Sequence, residues 1–443
     1  VIPASPSPST MPERENSPSV ALENAPRKRN PWVWIPTVNF AAGIPYSIVM
    51  TVSVIMYKNL GLSNGDIALY TSWLYLPWVI KPLWSPLVEV AATKRVWIIA
   101  MQAAVGLGFL GIAFGLQTTA MLAITLSFLW LLAFSSSTHD IAADGFYMIA
   151  LSEGDQSFFV GIRSTFYRLA LLGGQGIIVM LAGLLESRLD SITDAWSYLF
   201  ALLAGLFLAI AAYHVWALPR PKADLTPSKA SLGEVLTSFF QKPALGLSIA
   251  FLLLYRLGEA QLVKLATPFM LDDRAVGGLG LGTTEVGFVY GTVGVTALTI
   301  GGILGGLLAS RDGLKAWLWP MVIGINAPNV LYVLLAVVRP ESMLMITGAV
   351  AIEQFGYGFG FQAYMLFMIH VARGPYQTAH YAITTAFMAL GMMIPGLFSG
   401  YIQEALGYQN FFVWVVLATI PGILLAARLP ISADYGKRAT EEA

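Results

Sequence analysis

Asp140 and Asp144 stand four residues apart in the stretch SSSTHDIAADGFYMIAL, residues 135–151, inside an apolar segment that begins near Met121. An ionised side chain at the centre of a bilayer-spanning helix costs roughly 2.5–3.5 kcal/mol on insertion scales, so acids there turn toward a water-filled cavity or a partner. The spacing puts both on one helical face. Two carboxylates so close repel each other in a low dielectric, and one of them is expected to pick up a proton. The pair is a candidate proton carrier. His139, whose side chain titrates nearest physiological pH, would modulate it. The bland alternative is a structural pair hydrogen-bonded to a neighbouring helix.

Further on, Arg256 and Glu259 lie three residues apart and can pair, which lowers the cost of burying either. Lys264, eight residues beyond Arg256, has no local partner and is expected to meet an anion or an acid of the Asp140 segment. Snorkelling to the interface is its other option. Glu353, Tyr357 and Tyr364 give a later segment a polar and aromatic face suited to sugar or peptide contact, and Tyr147 holds a comparable position after Asp144. Arg168 joins Arg256 and Lys264 as a cation for cargo carboxylates or phosphates, arginine being the better bidentate partner.

These residues need elements to hold them. The 443 residues are 56% hydrophobic and only 11% charged, with mean hydropathy +0.68, far from the usage of soluble domains. The chain reads as an all-α, multi-pass membrane protein. It has no cysteine, so disulfides, thiol nucleophiles and cysteine-ligated metals are excluded. Its four histidines are too scattered for a zinc motif, and its zero net charge points to no nucleic acid. No cofactor is expected.

Twelve segments have spanning length, about 20 residues each: 32–57, 65–88, 95–116, 121–152, 157–186, 195–218, 243–270, 284–310, 316–338, 342–372, 377–404 and 408–428. The domain reading is a disordered tail (1–30), a six-helix half (31–218), a linker with a short amphipathic helix (219–242), a second six-helix half (243–430) and a tail (431–443). Sixteen basic residues fall on the side of the termini against four opposite, which puts both termini in the cytoplasm. The halves match weakly at an offset of 217 residues, Tyr147 falling on Tyr364 and Gly183 on Gly400. Glycines in GGQG (173–176) and GYGFGF (356–361) suit close helix approach or bending.

In a 6+6 bundle of the major facilitator kind, the first, fourth, seventh and tenth helices line a cavity. The charges sort that way, since the third, ninth and twelfth segments have no Asp, Glu, Lys or Arg in their interiors. Gly306 to Lys315 (GLLASRDGLK) closely resembles the facilitator loop pattern G-x-L-A-D-R-x-G-R-K, and Glu89 with Lys94 and Arg95 forms a degenerate first-half copy. The resemblance implies that Glu89, Lys94, Arg95, Arg311 and Asp312 gate the transporter by bridging its halves when it faces outward.

Thr138 to Asp144 (THDIAAD), Tyr167-Arg168-Leu169, Ala379-His380-Tyr381-Ala382 and Gly400-Tyr401 look like the muropeptide permease branch of the major facilitators, which also includes acetyl-CoA transporters. The likeness covers nearly all of residues 32–428. It implies proton-driven symport of a muropeptide-like solute across the bacterial inner membrane by alternating access, with protons, a small solute and the bilayer as partners and a monomer as the unit. A siderophore or acyl-CoA cargo is the alternative within that class. A non-transporting receptor is the alternative outside it, and the absence of a nucleophile motif or phosphate loop argues against an enzyme.

Overall fold

The computed structural model describes residues 29–151, 153–221, 232–374, 376–432 and 435–436. Residues 1–28, residues 222–231 of the linker, and residues 433–434 and 437–443 of the C-terminal tail lie outside this set. Among the described residues the regular structure is entirely helical. In chain order the runs are α1 (Pro31–Asn59), α2 (Asn64–Trp73), α3 (Lys81–Ala91), α4 (Lys94–Gly115), α5 (Met121–Ala150), α6 (Gly161–Glu186) and α7 (Ile192–Ala217). After the linker come α8 (Leu232–Phe240), α9 (Leu245–Leu271), α10 (Thr283–Asp312), α11 (Leu314–Val338), α12 (Met343–Ala372) and α13 (Ala379–Ala426). Nine of these runs are long and apolar enough to cross a membrane by length and composition.

Breaks in the helices have local causes. The second apolar stretch is divided into α2, a short turn at Leu76–Val79 and α3, because Pro77 and Pro82 cannot continue a hydrogen-bond ladder. The last run is two helices meeting at Gly407, whose φ of 70° lies in the left-handed region that glycine tolerates. The α9 run is interrupted at Tyr255 and Arg256, and its second piece starts at Leu257.

Two ends can be distinguished. At one, the loop end, lie the connections 60–63, 187–191, 272–282 and 339–342 together with Gly407. At the other, the terminal end, the Arg29 guanidinium sits over Trp216 and Tyr435 accepts a bond from the Leu314 amide (2.8 Å). The amphipathic α8 docks there through Phe239, which stacks near His380 and Phe387, while Ser238 bonds His380 Nε2 (2.9 Å). The His380 of the family-like AHYA stretch therefore anchors the linker helix.

The part of the chain before the linker packs on the part after it through small residues. A Cβ on Gly400 of α13 would lie 2.0 Å from the Asn64 carbonyl of α2, and one on Gly183 of α6 would lie 2.4 Å from the Thr284 amide of α10. These two glycines are the pair aligned by the 217-residue offset, and both serve the same kind of contact. Gly356, Gly358 and Gly360 do the same within the C-terminal part, bringing α12 against the carbonyls of Gly324, Leu298 and Met321. Gly174 admits Ser47 of α1.

Candidate transport site

Between the two parts, aromatic rings and charges converge. From the N-terminal part, Asp140 of α5 accepts a bond from Trp78 Nε1 (3.3 Å), and Trp78 meets Tyr46 of α1 edge to face at 5.5 Å. From the C-terminal part, Arg256 lies over the rings of Tyr357 (5.1 Å) and Phe361 (4.9 Å) and donates to the Tyr357 hydroxyl. Tyr46 is within electrostatic reach of both Asp140 and Arg256, and Tyr75 of Arg256 and Tyr357. Lys264 completes the rim by donating to Thr71 Oγ1 (2.9 Å) above the Tyr75 ring (5.3 Å). Cations, one acid and five rings thus face each other across the seam. Such a lining can orient an anionic solute with sugar-like or aromatic faces.

The acid pair is asymmetric. Asp140 is half-buried, with Lys81 as its nearest cation in electrostatic terms. Asp144, one turn on, forms an ion pair with Arg163 and keeps 53% of its side chain exposed. Arg163 also bonds Asn39 of α1 (3.3 Å) and lies over the Tyr147 ring (4.7 Å), which explains the tyrosine in this position. His139 faces elsewhere. One residue before Asp140 means a rotation of about 100°, and it joins a buried relay in which Gln102 bridges His139 (2.9 Å) and His214 (2.7 Å), and His214 reaches Thr37 (2.8 Å).

Several expectations need correction. Arg256 and Glu259 form no ion pair among the described contacts: both Glu259 oxygens are buried without a hydrogen-bond partner, and Arg256 bonds Tyr357 instead. Arg256 caps the second piece of α9, three residues before Glu259, and stays within electrostatic reach of it. Lys264 neither snorkels nor meets an acid of α5, being only 3% exposed and bonded to α2. Tyr364 is packing: its hydroxyl donates to the Leu252 carbonyl (2.5 Å) and its ring stacks on Tyr255 at 5.6 Å. Glu353 is 1% exposed and receives a bond from Gln354 (3.0 Å). Arg168 donates to the Thr299 carbonyl of α10 (3.2 Å), a link between the two parts toward the terminal end.

The loop-end seam carries a dense polar latch that sequence reasoning missed. Lys58 pairs with Asp272 (2.6 Å), and the Asn64 amide lies 2.7 Å from Gln403 and 2.8 Å from the Tyr408 hydroxyl, which donates to Asp272 (2.5 Å). Asn59 bridges Glu186 (2.7 Å) and Thr283 (2.8 Å), and the Gly65 amide donates to Glu404 (2.7 Å). At the terminal end the expected gating residues have contacts within their own part. Arg95 caps α7 through the carbonyls of Val215 and Leu218, Lys94 lies over Gly145, and Arg311 pairs with the adjacent Asp312 (2.8 Å), which also accepts from Trp317. The Glu89 side chain falls outside the described set.

Solved structures share the fold. The chain superposes on a D-xylose-proton symporter with TM-score 0.67 at 11% identity, covering 92% of this chain and 98% of that one. A nucleoside transporter gives 0.67 at 13% identity, covering 90% and 98%, and an inward-facing, occupied bacterial homologue of the human lysosomal transporter Spinster gives 0.64 at 15%, covering 89% and 94%. The fold is that of the major facilitator transporters. The BT1 family matches residues 42–242. The chain is 27% identical to the anhydromuropeptide permease of Escherichia coli K12 over 411 residues, 88% of this chain and 77% of that protein. It resembles the muropeptide permease branch of the major facilitators, as its motifs indicate, and its long apolar helices are those of a multi-pass membrane protein.

Proposed function

We propose that this chain imports a muropeptide-like sugar-peptide across the bacterial inner membrane, driven by protons, through alternating access of two six-helix halves. The twelve spans count α2 with α3 as one and divide α13 at Gly407, and both termini are cytoplasmic. The observation that carries the reading is that Tyr46 lies within electrostatic reach of both Asp140 and Arg256 at the seam, with Trp78 bonded to Asp140, Tyr357 bonded to Arg256, and Lys264 beside Tyr75. Arg256 and Lys264 meet cargo carboxylates, and the rings meet its sugar faces. Asp144 and Asp140 carry the coupling proton, Asp144 by exchanging Arg163 for a proton at the exposed mouth. His139 acts at one remove, by fixing the register of α5 through Gln102 and His214.

With the loop end latched across the seam, the form described corresponds to the inward-facing state of such a cycle. Monomers suffice, because the seam lies within one chain. An anionic ferric siderophore or acetyl-CoA would also suit two buried cations among aromatic rings, so both enter the test. Proteoliposomes are loaded with labelled anhydro-muropeptide, ferric siderophore or acetyl-CoA outside, with and without an inward proton gradient. Gradient-stimulated uptake of the muropeptide is expected. Stimulated uptake of another cargo corrects the substrate, and no stimulated uptake of any of them overturns the proposal.

A further inference from the structure

The seam leaves a second group of acids unused. Glu259 of α9 and Glu353 of α12 are 2% and 1% exposed, and they lie near enough to each other to interact electrostatically. Both oxygens of Glu259 and Oε1 of Glu353 lack any hydrogen-bond partner. So does the hydroxyl of Tyr332 on α11, a fully buried side chain turned toward Glu353 without reaching hydrogen-bond geometry. One turn before Tyr332, Asn329 is likewise fully buried and both of its amide atoms are unpartnered. Tyr290 of α10 lies within electrostatic reach of both acids. Four helices therefore enclose an oxygen-rich cluster inside the C-terminal part, apart from Asp140 and Asp144.

A buried polar group without a partner costs about 1–3 kcal/mol, and more when charged. Protonation alone does not relieve the whole cluster, because a proton shared between the two acids would satisfy one oxygen of each and leave the other Glu259 oxygen and the Asn329 amide unpartnered. A hard cation accepts several oxygens at once. Charge selects its valence. The groups facing the acids are Arg256 on α9, Tyr290 on α10, Tyr332 on α11 and Tyr357 on α12. With Arg256 beside Glu259, one negative charge of the pair remains uncompensated. No three His, Asp or Glu side chains converge among the described residues, as a divalent site of that kind would need.

We infer that Glu259, Glu353, Tyr332 and Asn329 form a binding site for one sodium ion within the C-terminal part. The inference goes beyond the proposed function, since it concerns neither cargo nor the proton on Asp144. The test uses the purified full-length chain in detergent, without cargo, at constant ionic strength and alkaline pH. Thermal melts are recorded while sodium chloride replaces choline chloride, with potassium as a comparison. Wild type is expected to show a saturable upward shift with sodium that potassium reproduces weakly. Glu353→Gln should lose the shift, and Asp144→Asn should keep it. Tyr332→Phe, which deletes one oxygen and retains the packing, should need about tenfold more sodium for the same shift, and it carries the test if Glu353→Gln fails to fold. A wild-type melt that responds to pH but not to sodium would overturn the site, as would a Tyr332→Phe response equal to wild type.

Discussion

The two acid pairs of this protein sit in opposite circumstances. Asp140 and Asp144 are one turn apart on one helix, each close to cations, and Asp144 opens to solvent beside Arg163. Glu259 and Glu353 come from different helices, are closed off from the surface, and have three of four oxygens unpartnered. In the proposed cycle the first pair serves exchange, since a proton could displace Arg163 without any buried charge being stranded. The second is built for retention, because anything that neutralises it must be desolvated and enclosed.

That contrast can be broken in stages. Asp144→Asn should abolish gradient-driven accumulation while the purified protein keeps its elution volume and melting curve; near-normal uptake would remove Asp144 from the coupling step. In the second pair the largest effect should be on stability. Replacing an unpartnered buried acid with an apolar side chain of similar length, Glu259→Met, is expected to stabilise the protein by about 1–4 kcal/mol in sodium-free buffer, read as a higher melting temperature. A loss there would mean that Glu259 is better satisfied than its contacts indicate.

Arg256→Lys tests the seam between the pairs. It keeps the charge but removes the planar stack on Tyr357 and Phe361, and should weaken cargo binding by about 1–2 kcal/mol, seen as a raised KM with gradient stimulation intact. Tyr364→Phe is the smallest change. It deletes one buried hydrogen bond to the Leu252 carbonyl, lowers stability by about 1 kcal/mol in a melt, and leaves the KM of uptake where it was.

The sequence carried the exchange pair plainly, because two acids at helical spacing within an apolar run are costly enough to stand out. It also carried the glycines, whose cost in a helix demanded close packing in return, and the 217-residue offset, whose aligned Gly183 and Gly400 prove to be equivalent contacts. The retention pair was read with the wrong partner. Helical spacing joined Arg256 to Glu259, but Arg256 donates to Tyr357 on another helix, and such a contact leaves little trace in side-chain pattern. Lys264 was illegible for another reason: its partner is a threonine hydroxyl on a distant helix, and hydroxyls are common in membrane helices. The rings of Tyr46, Tyr75 and Trp78 looked like ordinary packing, since only the fold turns them toward Asp140 and Arg256. The latch residues escaped for lack of any local motif, being joined only when loops far apart in the chain meet.

The bridge from Asn59 to Glu186 and Thr283 offers a clock. Because the chain has no cysteine of its own, thiols introduced at positions 59 and 283 would be the molecule's sole pair, joined in the latched form and parted whenever the loop end opens. Their rate of oxidation in the membrane, compared with and without cargo, would count openings directly and turn a cluster of hydrogen bonds into a stopwatch for the transport cycle.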